Sequence, residues 1–339
     1  YAEAHNNLGN VLFDNAQLDE AIFCFEKAII LNPEYIEAHY SLGMINHEIG
    51  NLNEAVNSYK DVIKINPKFS EAYNNLGKAY KELGNLNFAI EAYQEALKIN
   101  PNFSEAHNNL GNIYKELGQL EEAILSYKKA LEINPDYPVL HNNLGIALYQ
   151  LNRFEEAVNS FESALSYNPD YIDSLNSLGI VFNRLGKTDK ALKNYKKAIS
   201  IRPDYADAYN NMGNLYQDLG DPNNAVKSYK KAIKLKSEFD EAYNNLGNVL
   251  KDLGQLNDAV SSFETALKIN PSFPEAYNNL GNALSYPFFE RLNDAVSNFE
   301  KAIKIDPDFF EAYNNLGNVF RDLNRVDDAI RSYEKALAI

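Results

Sequence analysis

The sequence is almost without cysteine. One residue, Cys24, stands among 339, which excludes an internal disulfide and any CxxC metal or redox pair and fits a reducing compartment, the cytoplasm first. Basic charge is also short: 32 Lys and Arg face 47 Asp and Glu, for a formal net charge of −15 and a pI near 4.9. A field of that sign repels phosphate backbones, so no nucleic acid is expected as a partner. Long apolar runs are missing too. Nothing nears the roughly 20 residues needed to span a bilayer, so no membrane partner is expected. No signal-peptide pattern opens the chain, which starts on Tyr1 without an initiator Met and reads as an excerpt. Successive glycines are never closer than seven residues, which leaves no GxGxxG, Walker-type or GxSxG loop and points to no cofactor.

What the chain has instead is an internal repeat. Aligned on a recurring Leu-Gly pair, glycines fall at 9, 43, 77, 111, 145, 179, 213, 247, 281 and 317, a spacing of 34 until a last step of 36. The length alone would suggest two or three compact domains, but the period overrides that prior. We read one continuous array over 1–339, with units starting near 2, 36, 70, 104, 138, 172, 206, 240, 274 and 310 and a two-residue insertion at 285–291.

Each lane of the repeat has a physical reading. Seven residues after the repeat glycine comes Gly50, Gly84, Gly118, Gly186, Gly220 or Gly254, with Ala16, Asn152 and Asn324 as stand-ins. Such a residue, set between two amphipathic stretches, reads as a left-handed helix end. The first glycine lane lies inside a helix, where Gly costs about 1 kcal/mol against Ala. Close helix approach is expected to offset that loss, with the all-alanine lane of the second helix, Ala21 to Ala329, as its counterpart. An aromatic lane (Phe25, Tyr59, Tyr93, Tyr127, Phe161 and their successors) alternates with two small lanes at helical spacing. Proline at 33, 67, 101, 135, 169, 203, 271 and 307 stops the second helix, because the residue before Pro is pushed out of the α region.

A unit carrying Tyr73, Leu76, Gly77, Tyr80, Ala89, Tyr93, Ala96 and Pro101 resembles the tetratricopeptide repeat, with Tyr73 where that family often has Trp. The resemblance covers essentially the whole chain. It implies an all-α fold, a right-handed α-solenoid of about ten 34-residue helical hairpins, with first helices on the concave side and second helices on the convex side. It also implies a protein-interaction scaffold rather than an enzyme.

Catalytic residues find little support. His5, His39, His107 and His141 share a lane that other units fill with Tyr or Leu and are expected to pack between helices. Equivalent positions in neighbouring hairpins lie roughly 8–10 Å apart, too far for two imidazoles to share a metal. His47 lies beside Glu48 in a groove-facing lane, but Asn51 breaks HExxH. Cys24 has no activating His in its helix and reads as a buried bystander. The sequon at Asn102 reads as chance in an Asn-rich chain. No catalytic residue and no metal site are expected.

Binding is better supported. Two Asn precede the repeat Leu in eight units, Asn6 and Asn7 through Asn314 and Asn315, with Tyr40 and Ser41, and Asn176 and Ser177, as departures. Asn is a poor helix-interior residue, so its recurrence needs a reason. A carboxamide donates and accepts, so a ladder of them can bond a peptide main chain whatever its side chains. Inter-unit capping and spacing is the competing explanation. The ladder resembles that of the O-linked N-acetylglucosamine transferase superhelix, which implies that Asn7, Asn75, Asn109, Asn143, Asn211, Asn245, Asn279 and Asn315 hold an extended polypeptide. Ser41 and Ser177 weaken the match, and no transferase domain is present. The carboxylate clamp of chaperone-adaptor repeats fits less well, because the lane opening the first helices is acidic, as at Glu3, Glu37, Glu71 and Glu105. After the repeat glycine, Ile146 and Ile180 replace the usual Asn, and with Val139 and Tyr149 they suggest an apolar side-chain pocket, with sequence drift in a repeat array as the alternative.

Two further expectations concern self-association. In the ninth unit Pro287 is expected to end the first helix early and Phe288 and Phe289 to dock on a neighbour, whether another chain or the next unit. Without a polar capping helix after Ile339, end-to-end stacking into an oligomer or filament is the alternative to peptide binding. A pentatricopeptide-like RNA reader also uses helical hairpins, but net acidity argues against it.

Overall fold

The computed structural model describes residues 1–287 and 290–339, so the expectation placed on Phe288 and Phe289 lies outside the described residues. Among the described residues the chain is all-α, twenty helices in pairs with no strand. First helices begin at Ala2, Ile36, Ser70, Ser104, Pro138, Ile172, Ala206, Asp240, Pro274 and Phe310.

Repeat 3 shows why the chain folds this way. Its first helix, Ser70–Glu82, ends where Gly84 takes a φ of +76. There Gly84 N–H donates to Lys81 O (2.9 Å) and Asn85 N–H to Tyr80 O (2.8 Å). This paired closure satisfies carbonyls the helix end would otherwise leave open. Ala16, Asn152 and Asn324 take the same left-handed turn (φ +57, +59 and +60), and Glu290 takes it in the ninth unit (φ +52). The second helix, Leu86–Ile99, stops at extended Asn100, just before Pro101.

The repeat glycine has a different counterpart from the one expected. A Cβ on Gly77 would sit 2.7 Å from Cε1 of Tyr93, and the other nine glycines face the aromatic ring of their own hairpin in the same way. The ring, not the alanine lane, fills the space a side chain would need. The alanines instead lie fully buried beside it, as at Ala89 and Ala96, and let the two helices close. Burial of one such ring offsets the helix cost of the glycine, about 1.5–3 kcal/mol against about 1.

The chain divides into two compact units, 1–174 and 175–339, the division falling in the helix Ile172–Arg184. Within each unit the first helices of neighbouring repeats touch, more closely than any neighbouring second helices do. First helices therefore form one face of each unit and second helices the other. In the second unit Tyr229, Leu246, Phe263, Leu280, Phe299, Leu316 and Phe320 join one apolar core. In the first, smaller clusters form around Phe25, Tyr59 and Tyr93. No helix among the described residues is long and apolar enough to cross a membrane.

Candidate functional site

The two Asn of each pair have different fates. The first turns inward in most pairs: Asn6, Asn74, Asn142, Asn210, Asn244 and Asn278 are buried and Asn108 half-buried, while Asn314 of the last repeat is exposed. The second stays at the first-helix face, half-buried at Asn75, Asn109, Asn143, Asn211, Asn245, Asn279 and Asn315 and exposed at Asn7. Their amides link repeat to repeat. In the first unit, Nδ2 of Asn109 donates to Asn74 Oδ1 (3.2 Å) and that of Asn143 to Asn108 Oδ1 (3.0 Å). In the second, Asn211, Asn245, Asn279 and Asn315 donate likewise to Asn176, Asn210, Asn244 and Asn278 (3.0, 3.3, 2.9 and 3.0 Å).

Each bridging amide spends an N–H on the ladder, and those of Asn143 and Asn245 also reach Asn112 and Asn214 Oδ1 (3.5 and 3.1 Å). The carbonyl oxygen of a bridging amide accepts no hydrogen bond among the described residues. Inter-repeat spacing and an open acceptor thus coexist in one side chain. The sequence alone presented them as alternatives.

Two departures from the Asn pair show what the ladder is worth. Ser41 stands where an amide would reach back to Asn6, and its hydroxyl goes to Asn10 Oδ1 instead (3.4 Å). Asn6 Oδ1 is left buried without a partner. At the other departure, where Ser177 stands in repeat 6, Asn142 Oδ1 of repeat 5 accepts instead from Ser174 Oγ (2.9 Å). Where Tyr40 replaces the inward Asn, Asn75 donates to its hydroxyl (2.8 Å). Burial, then Glu71, pushes that phenol up, against the pull of the Asn75 contact.

A second polar strand runs beside the ladder, and sequence reasoning missed it. The aromatic ring that crosses the glycine carries, where it is Tyr, a hydroxyl to the first-helix face. Tyr127, Tyr229 and Tyr333 donate to Asn112, Asn214 and Asn318 Oδ1 (2.8, 2.6 and 2.9 Å), the residue after the glycine. The available signal was Tyr sixteen residues and Asn one residue after the same glycine. It was blurred because Asn248 and Asn282 stand with Phe263 and Phe299. Burial pushes the Tyr59, Tyr93, Tyr127 and Tyr229 phenols well up, so they stay protonated donors.

Ile146 lies in the first unit and Ile180 in the second, each half-buried. The histidine lane packs through the backbone: Nε2 of His39, His107 and His141 meets the carbonyl of Pro33, Pro101 and Pro135 (2.9, 3.0 and 2.7 Å). Burial pushes His107 down, partly opposed by that contact. His47 Nε2 lies 3.0 Å from Glu82 Oε1, and Lys78 pairs with Glu105. Cys24 is buried, and no group of three His, Cys, Asp or Glu among the described residues is placed to hold a metal. On the second-helix side a hollow of about 610 Å³ opens over Leu97, His107, Leu110, Tyr114, Leu125 and Ile133. Leu125 and Ile133 are exposed there.

Comparison with known proteins bears on this arrangement. Among curated protein sequences none matches the chain. A model described as a TPR repeat matches residues 45–84, 77–118, 111–152, 147–186, 181–220, 247–285 and 290–320. Models described as tetratricopeptide repeat match 2–35, 206–239 and 310–339, and 24–57 and 228–261. Among solved structures, a crystal structure of MamA is 32% identical over 48% of this chain and 95% of its own, with a TM-score of 0.45. Yeast Tom70 is 17% identical over 99% of this chain and 91% of its own, with a TM-score of 0.57, a likeness of fold. With ring over glycine, left-handed turn and proline stop recurring through successive hairpins, and with family models matching from residue 2 to residue 339, the chain belongs to the tetratricopeptide repeat family.

Proposed function

We propose that this repeat scaffold holds extended polypeptide along the first-helix face of each compact unit, its main chain against Asn7, Asn75, Asn109 and Asn143 in the first and against Asn211, Asn245, Asn279 and Asn315 in the second. The observation that carries the reading is the open Oδ1 on each half-buried amide, recurring from repeat to repeat except where Ser41 and Ser177 interrupt it. Packed helices lie roughly 8–10 Å apart, and an extended chain advances about 3.3–3.6 Å per residue. One amide therefore meets about every third residue of the ligand. Each bond nets roughly 0.5–1.5 kcal/mol, so a handful supports affinity near micromolar without side-chain pockets. The ladder is similar to that of the O-linked N-acetylglucosamine transferase superhelix, which supports the same reading. Ile146 and Ile180, which replace the neighbouring Asn, add one apolar contact in each unit. The acidic lane opening the first helices favours neutral or basic segments over acidic ones.

The test uses dodecamer peptides selected on the full chain from a displayed random library, with fluorescence anisotropy as the readout. Asn7→Ala removes an amide that bridges no repeats, and Asn109→Ala with Asn143→Ala removes two that do. Weaker binding in both variants, about tenfold in the double, with the helical circular dichroism kept, is the expected result. Unchanged affinity in both would sink the reading.

A further inference from the structure

The first-helix face of the first unit contains a hollow of about 380 Å³ walled by Met44, His47, Asn75, Lys78 and Glu82, with Tyr59 at its floor. Three facts bear on what it can bind. The Tyr59 ring is buried, 1% exposed, and its hydroxyl, which makes no hydrogen bond among the described residues, is not itself sealed from the hollow that the residue lines. In repeats 4, 7 and 10 the equivalent hydroxyl ends on a carboxamide oxygen, that of Asn112, Asn214 or Asn318. In repeat 2 the residue that would supply this oxygen is Met44, which has no carbonyl to offer.

The other polar groups of the hollow narrow the choice of ligand. Lys78 is engaged by Glu105, and His47 by Glu82. Asn75 spends an N–H on Tyr40, and its Oδ1 accepts nothing among the described residues. The neutral groups left open to a ligand are the Tyr59 phenol and, on Asn75, the Oδ1 acceptor and a second N–H. The carboxylates of Glu82 and of Glu48, which also lines the hollow, oppose an acidic group, and no cation is left unpaired to receive one.

We propose that this hollow is an amide-reading subsite that takes a carboxamide from the bound polypeptide, its oxygen accepting from Tyr59 Oη and its N–H donating to Asn75 Oδ1. The ligand supplies here the group that the protein supplies to itself in repeats 4, 7 and 10. The proposal rests on the reading of this face as peptide-binding and adds a chemical preference to a groove otherwise indifferent to side chains. An amide can come from an Asn or Gln side chain or from a main-chain unit, and both present the same donor and acceptor.

The experiment titrates the full chain, 13C-labelled at tyrosine Cζ, with propionamide, N-methylacetamide and propionate. Expected is a saturable shift of the Tyr59 resonance with one or both amides and none with propionate. A stronger response to propionamide assigns the site to a side chain, and to N-methylacetamide a main-chain unit. Met44→Asn installs the internal oxygen and is expected to abolish the response. The proposal is overturned if propionate acts as strongly as the amides, if the response survives Met44→Asn, or if no amide shifts Tyr59.

A second arm separates this subsite from the groove. Tyr59→Phe matches Phe25, Phe161, Phe263 and Phe299 of other repeats, so the variant folds, and the ladder amides stay in place. For library-selected peptides it is expected to weaken binding about tenfold. Peptides that bind wild type and Tyr59→Phe equally overturn the subsite and leave the groove standing. A chain that selects no peptide yet shifts Tyr59 with amides overturns the groove reading and keeps the subsite.

Discussion

In repeats 7 and 8 the polar groups of the first-helix face close on one another. Tyr229 donates to Asn214, and Asn245 donates to both Asn214 (3.1 Å) and Asn210. In repeats 2 and 3 the same positions hold Tyr40, Ser41, Met44 and Lys78. There the Tyr59 and Tyr93 hydroxyls make no hydrogen bond among the described residues, and Asn6 Oδ1 of repeat 1, opposite Ser41, is buried without a partner. The backbones hardly notice. Gly50 and Gly220 take φ of +80 and +68, and Gly43 and Gly213 lie equally tight under Tyr59 and Tyr229. The ring, glycine and turn lanes build the hairpin, while the amide lane is free to vary and can therefore carry recognition.

The strongest way to break this comparison is to fill the glycine in both regions. An added Cβ would lie 2.6 Å from Tyr59 Cε1 at Gly43 and 2.5 Å from Tyr229 Cε1 at Gly213. Gly→Ala inside an exposed helix gains about 1 kcal/mol. Here the buried ring has nowhere to go, and overpacking reverses the sign to a loss of about 1–3 kcal/mol. Because a repeat array need not unfold all at once, amide hydrogen exchange in the altered hairpin is the measurement. Gly43→Ala and Gly213→Ala are expected to lose protection alike. If only one region suffers, the hairpins are not built the same way.

The next effect runs the other way. Ser41→Asn places an N–H where Asn6 Oδ1 lies buried and unpaired, and a buried unsatisfied acceptor costs about 1–3 kcal/mol. The long Ser41 contact to Asn10, 3.4 Å, is the only bond given up. A gain of about 1–2 kcal/mol is expected, read as slower exchange in Ala2–Asp14 and Ile36–Glu48. Unchanged exchange would mean that the rungs of the ladder contribute nothing to holding repeats together.

The hairpins were legible in the sequence because their signals are local and repeated. A left-handed residue seven after Gly77 and a proline after Asn100 each act within one turn of chain. The partner of Gly77 was misread because propensity says only that a helical glycine makes room, not for what. Both Ala89 and Tyr93 lie on the facing helix, and only coordinates show the ring over the glycine. The division of each Asn pair was half legible: periodicity requires Asn74 and Asn75 to point differently, but not that Asn109 reaches back to Asn74. The Tyr59 hydroxyl was not legible, since its lack of a partner depends on Met44, fifteen residues away on another helix.

The smallest effect is the sharpest for recognition. Tyr229→Phe removes a hydroxyl that donates to Asn214 and lies 3.1 Å from Gln217 Oε1, and a loss of about 1 kcal/mol is expected. Tyr59→Phe removes a hydroxyl that gives nothing to the fold, so its loss is expected to be close to zero. Urea unfolding followed through exchange in the two hairpins makes the comparison within one molecule. Equal losses would mean that Tyr59 Oη is already satisfied by something as good as a carboxamide, an ordered water for instance. A ligand amide would then have to displace that partner rather than fill a gap, and the preference for amides over other groups would shrink accordingly.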